Sequence, residues 1–129
     1  MNIPQELYYS REHEWVRVEG EQAFIGITDF AQEHLGDIVF VELPELEAEF
    51  AAMDEIGVIE SVKAVSPMNT PVAGVIIQVN EELESAPELL NEDCYAHFIC
   101  VLRMSDAADL DDLMKAEAYA AFCEEEEAK

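Results

Sequence analysis

Lys63 is the only Lys or Arg between Val18 and Leu102. Its neighbours, Ser61, Val62, Ala64, Val65 and Ser66, are small or apolar. An amine on a flexible stem offers two chemistries. It can be acylated, which removes the charge and leaves a long arm joined through an amide. It can instead form a Schiff base, which needs burial and a lowered pKa. The flanking serines and the acidic neighbour Glu60 do not describe such a pocket, so acylation is the chemistry this pattern favours. The bland alternative is a solvated lysine at a hairpin tip.

The other reactive residue types carry weaker signals. His13 lies in Glu12-His13-Glu14-Trp15, His34 in Gln32-Glu33-His34-Leu35-Gly36, and His97 near the end of the strand-rich part. None forms a ligand pair of recognised spacing, so no metal site is expected. There is no GxSxG and no Gly-rich phosphate loop, and five glycines are too few to hide either. Cys94, Cys100 and Cys123 are an odd number without CxxC spacing. They are expected to be free thiols packed as small apolar groups.

The charge balance narrows the partners. Thirty Asp and Glu face six Lys and Arg, for a net charge of −24. Nucleic acid is excluded, because phosphates need cations to displace their counterions. An anionic membrane surface repels the chain in the same way. Half of the 129 residues are apolar, which argues for a core and against disorder. No apolar run reaches the length of a membrane span, and Met1 to Glu6 lacks the basic and apolar regions of a signal peptide. A cytoplasmic monomer is expected.

Short strands must position Lys63. Trp15–Val18 and Ala23–Ile27 read as a hairpin turning across Glu19 to Gln22. Thr28 or Asp29 can cap a short helix through Leu35, stopped by Gly36. Further strands are expected over Ile38–Leu43, Ile56–Glu60, Val62–Val65, Val72–Val79 and Tyr95–Leu102. This spacing predicts an all-β sandwich or barrel. After Ser105 the period becomes helical, with Leu110, Leu113, Met114, Ala118, Ala121 and Phe122 as an apolar stripe and Asp106 or Asp109 as cap. Glu124 to Glu127 read as a solvated or frayed tail. The expected organisation is one domain over 1–129, with a β sandwich over 1–104 and a helical segment with an acidic tail over 105–129.

Several stretches carry a resemblance: SREHEW (Ser10–Trp15), GITDFAQEHLGD (Gly26–Asp37), VFVELPE (Val39–Glu45), GVIESVKAVS (Gly57–Ser66) and PELLNED (Pro87–Asp93). Together they resemble the H protein of the glycine cleavage system over nearly the whole chain. Related biotinyl domains usually carry Met-Lys-Met, and lipoyl domains of 2-oxo acid dehydrogenases Asp-Lys-Ala. Val62-Lys63-Ala64 follows the H-protein form.

The resemblance implies a mostly-β, lipoyl/biotinyl-type barrel sandwich (hybrid hammerhead) with a short internal helix and C-terminal helices. It implies lipoate bound covalently to Lys63, with Glu60 and Ser61 beside it and Glu14 and His34 near the arm. It implies no catalysis by the chain itself. The implied partners are a PLP-dependent glycine decarboxylase, a tetrahydrofolate-dependent aminomethyltransferase, an FAD-dependent dihydrolipoamide dehydrogenase and the enzymes that attach lipoate. The alternative role is a lipoyl relay without an aminomethyl step.

The chain departs from the family pattern in places. Pro67 stands where an Asp is usual, and Met53 or Asp54 where a hairpin Gly is usual. The Asn91–Phe98 segment is one residue shorter and lacks a Trp. Cys100 and Leu102 replace basic residues common in the last strand.

Overall fold

The structure, a computed structural model, describes residues 1–128. Two antiparallel sheets enclose the main core. The larger has the order β1 (Tyr8–Tyr9), β2 (Glu14–Glu19), β3 (Gln22–Ile27), β9 (Cys100–Met104), β8 (Gly74–Val79), β5 (Glu49–Phe50). The smaller has the order β4 (Ile38–Glu42), β6 (Glu55–Ser61), β7 (Val65–Asn69). Helix α1 (Asp29–Leu35) joins β3 to β4, and the short helices α2 (Glu82–Ser85) and α3 (Leu89–Glu92) follow β8. A 3-10 turn over Ala107–Asp112 leads to α4 (Ala116–Glu127).

Alternation decides which side chains turn inward. Ala23, Ile25 and Ile27 of β3 face Ile38, Val41, Ile56, Ile59 and Met68 of the smaller sheet. Such alternation lets each sheet bury one face and leave the other to solvent. A second apolar cluster, Leu7, Tyr9, Trp15, Phe30, Tyr119 and Cys123, docks α4 on the start of the chain.

The hairpin across Glu19 to Gln22 forms as expected. Thr28 is the helix cap, its side chain accepting from the Ala31 N–H, and Gly36 terminates α1 at φ 77°. Asp106 caps the 3-10 turn rather than an α-helix.

Other expectations are corrected. Val62–Val65 is not a strand: Val62 to Ala64 form the turn between β6 and β7. The strands expected from Val72 and Tyr95 begin at Gly74 and Cys100. Glu124 to Glu127 belong to α4 and are not frayed, while Glu124, Glu125 and Glu127 are exposed to solvent as expected. On that helix Tyr119 and Cys123, four residues apart, make the buried stripe, and Ala118 and Ala121 are exposed. The two-residue strands β1 and β5 and the four-residue helices α2 and α3 are too short to carry a periodic signal.

Met53 takes the place of the expected hairpin glycine with φ 73°. Its N–H donates to the Thr70 carbonyl. This left-handed conformation is strained for a side chain with a Cβ.

Candidate functional site

The β6–β7 turn presents Lys63. The Ser61 N–H donates to the Ala64 carbonyl at 2.8 Å. Ser61 Oγ accepts from the Lys63 and Ala64 N–H groups, both at 3.1 Å. A serine hydroxyl bonded to the backbone two and three residues on stabilises a tight turn. Ser61 therefore shapes the mount, and Val62, Lys63 and Ala64 are left exposed.

The mount is also tied down from the side. The Val62 N–H donates to the Asp37 carbonyl at 3.0 Å, fixing the turn to the α1–β4 connection. Asn91 of α3 holds that connection in turn. Its Nδ2 donates to the Gly36 carbonyl at 2.9 Å and to Gln32 Oε1 at 3.1 Å, and its Oδ1 accepts from the Ile38 N–H at 2.8 Å. The lysine stem lies against Gly36, where a Cβ would sit 3.3 Å from Lys63 Cε. Gly36 thus meets two demands, a positive φ and a close approach by the stem.

A cleft of about 230 Å³ opens between α1 and β7, walled by Glu12, His13, Phe30, Ala31, His34, Leu35 and Ser66. His13, Phe30 and His34 stack in series, with ring centroids 4.3 and 4.0 Å apart. His34 Nδ1 lies 2.9 Å from the Phe30 carbonyl, to which only a protonated Nδ1 can donate, leaving Nε2 as the acceptor of the neutral ring. Burial lowers the His13 pKa, with Glu126 opposing that shift. His13 Nδ1 lies 2.7 Å from Tyr119 Oη, so α4 braces the cleft from behind.

The expected site residues fall into four places. Lys63 and Ser61 form the turn, and His34 lines the cleft beside it. Glu60 is paired across the smaller sheet with Phe40 and Val65, away from the cleft walls. Glu14 is 2% exposed and lies behind the cleft, where Oε1 accepts from Ser10 Oγ at 2.6 Å and Oε2 from the Asn69 N–H at 3.3 Å. Burial raises its pKa to about 7. The carboxylate on the cleft wall is that of Glu12, a residue in the same SREHEW stretch that its pattern did not single out. Pro67, where the resemblance expects an Asp, is exposed on β7 opposite Val58, and the β7 residue lining the cleft is its neighbour Ser66. Proline is tolerated there because β7 is an edge strand.

A lysine on a braced turn, beside a small cleft with aromatic and apolar walls, is the geometry of a swinging-arm carrier. The family model for the glycine cleavage H-protein matches residues 7–126. The chain belongs to the glycine cleavage H-protein family. It is 57% identical to the glycine cleavage system H protein of Syntrophomonas wolfei over 127 residues, covering 98% of each chain. It is 54% identical to that of Alkaliphilus oremlandii over 120 residues, covering 93% of this chain and 94% of that protein. The crystal structure of a glycine cleavage system H protein from Mycobacterium marinum superposes with a TM-score of 0.85 at 32% identity, covering 92% of this chain and 97% of that one. The barrel-sandwich fold expected from the sequence is the fold found. As an H protein the chain is a lipoyl carrier of glycine cleavage and a non-catalytic subunit of that system. Family membership does not favour the relay alternative. No helix among the described residues is long and apolar enough to cross a membrane.

Proposed function

We propose that Lys63 is the lipoylated residue of this H protein. The observation that carries the reading is the mount: an exposed lysine on a Ser61-braced turn, its stem on Gly36, with a cleft alongside. The cleft suits such an arm, because Phe30, Ala31 and Leu35 offer apolar wall and His34 and Glu12 offer polar ends. Bound lipoate supplies a disulfide that accepts a carbon unit together with two electrons; the protein supplies mounting and electrostatics. Gly36 leaves room for the stem, Ser61 fixes the direction of the turn, and the Phe30 wall excludes water from the arm. The Glu12 carboxylate and the His34 acceptor nitrogen can hold a protonated amine at the arm's end. Glu14, buried behind them, positions the Ser10–Trp15 segment through Ser10 and Asn69.

The partners in this reading are the glycine decarboxylase with PLP, the aminomethyltransferase with tetrahydrofolate, the dihydrolipoamide dehydrogenase with FAD, and a lipoate-attaching enzyme. The aminomethyl group of glycine passes from the first to the second. The chain works as a cytoplasmic monomer and one lipoyl-carrier domain. A charge of −24 favours encounter with basic partner faces and keeps carriers apart.

The test is the intact mass of the chain after co-expression with a lipoate ligase, followed by peptide mapping. One lipoyl group is expected, on Lys63, and none on a folded Lys63→Arg variant. Lipoate mapped to Lys115 would overturn the assignment. Lipoylated chain that cycles between dithiol and disulfide but never takes up glycine carbon from a matching decarboxylase would overturn the shuttle role.

A further inference from the structure

Asn91 is not one of the cleft walls, yet its amide is bonded on both sides of the connection that carries Lys63. Nδ2 donates to the Gly36 carbonyl, and Oδ1 accepts from the Ile38 N–H. Asp37 stands between them, and its carbonyl accepts from the Val62 N–H of the lysine turn. Gly36 is also where the lysine stem lies. Regular structure leaves this connection loose at both ends. Gly36 ends α1, where carbonyls lack helical partners. Ile38 pairs with Ser61, but the register shifts before Phe40, which pairs with Glu60. That bulge at Val39 separates Ile38 from the regular ladder of β4 and β6. A side chain from α3 supplies the bonds that neither the helix nor the ladder provides.

The same amide reaches into α1. Its other Nδ2 bond goes to Gln32 Oε1, and Gln32 Nε2 donates to Asp29 Oδ1 at 2.8 Å. Phe30, Ala31, His34 and Leu35 of this helix wall the cleft. One side chain therefore ties the turn that bears the lysine to the helix that forms the cleft.

We propose, on the reading of Lys63 given above, that Asn91 is a positioning residue for the swinging arm: it keeps the Lys63 turn in register with the cleft, so that the loaded arm stays there. Tether point and cleft lie on different elements. The local concentration of the arm's end at the cleft walls follows from the offset between them. A hydrogen bond from the amine to Glu12 depends on that offset too, because such bonds weaken steeply once distance or angle departs from the ideal. Attachment of lipoate makes a weaker demand. It needs an exposed amine on a formed turn, and Ser61 forms the turn from within. Loss of Asn91 leaves a carrier that can be lipoylated and loaded but holds its cargo poorly.

The experiment uses the full-length chain, lipoylated by a lipoate ligase, loaded with glycine carbon by a matching decarboxylase and then separated from it. Loss of the cargo to water is followed as formaldehyde. In that step the bond from the arm's sulfur to the aminomethyl carbon breaks, water adds its oxygen to that carbon, and the thiol, formaldehyde and ammonium are released. Asn91→Ala should reach full lipoylation on Lys63 and lose its cargo about 5-fold faster than wild type. Hydrogen exchange separates positioning from general weakening. The Val62 amide should exchange about 10-fold faster in Asn91→Ala, while the Ile99 amide, bonded to the Ile25 carbonyl of β3, keeps its wild-type rate. If Asn91→Ala does not fold, Gln32→Ala, which removes one bond of the clamp, takes its place under the same criteria. A folded variant that keeps its cargo as long as wild type overturns the proposal. So does exchange that is unchanged at Val62, or that quickens equally at Ile99. Wild type without lipoate on Lys63, or lipoylated yet never loaded, overturns the reading beneath it.

Discussion

Ser10 and Glu14 exchange hydrogen bonds in both directions. Ser10 Oγ donates to Glu14 Oε1 at 2.6 Å and accepts from the Glu14 N–H at 3.1 Å. Despite these bonds, burial holds the carboxyl pKa at about 7, above its ordinary 4.5. The folded chain therefore keeps a proton that the unfolded chain gives up between those values. The stability this contributes is complete below about pH 4.5 and is lost as pH rises through about 7. Relative to Glu14→Gln, the wild type should lose on the order of 3 kcal/mol between pH 4.5 and pH 8. Urea unfolding of both chains across that range checks it; parallel pH profiles would show that Glu14 titrates normally.

Tyr119 anchors α4 through one oxygen, with His13 Nδ1 and Thr28 Oγ1 each 2.7 Å from its hydroxyl. Tyr119→Phe keeps the ring stacked on Tyr9 but takes the hydroxyl partner from half-buried His13 and leaves buried Thr28 only its bond from the Ala31 N–H. The expected cost is about 1–3 kcal/mol of unfolding free energy, read by denaturant titration, and the added exposure of α4 should appear as faster amide exchange there.

Met53 occupies a left-handed backbone position at φ 73° with its side chain exposed. Met53→Gly relieves that strain and should stabilise the chain by about 1 kcal/mol. An unchanged melting temperature would mean that the Met53 side chain contributes as much as the strain removes.

The family's working encounters should be steered by charge. The association rate of the carrier with a basic partner enzyme should fall as ionic strength rises, because salt screens exposed charges beyond about 10 Å at 0.1 M. Stopped-flow rates that stay flat across salt would remove electrostatic steering and leave the carrier role intact.

Much of this arrangement was legible in the sequence, and the gaps have physical causes. Lys63 was conspicuous because no other cation surrounds it, and Thr28 and Gly36 marked the ends of α1 through ordinary capping chemistry. The cleft was not legible. It is assembled from Glu12, α1 and Ser66, which meet only when the smaller sheet folds against α1. Glu14 drew attention as part of a motif, yet the chain turns at His13, whose φ is 67°, and Glu14 is directed inward while Glu12 reaches the cleft. Asn91 lies in α3, more than 50 residues from Gly36 and Ile38, and nothing local announces that its amide clamps them. The bulge at Val39 was hidden because a single extra residue leaves no periodic trace in a five-residue strand.

The three cysteines have a consequence for a protein whose cargo arm cycles between dithiol and disulfide. Cys94, Cys100 and Cys123 are all free and all buried. Burial pushes Cys94 and Cys100 up to about 12 and raises Cys123 as well. At neutral pH they are protonated, and attack on a disulfide requires an accessible thiolate. The carrier's own sulfur is thereby insulated from its cargo: the arm cannot short-circuit into a mixed disulfide with the body that bears it, and its electrons leave only through a partner.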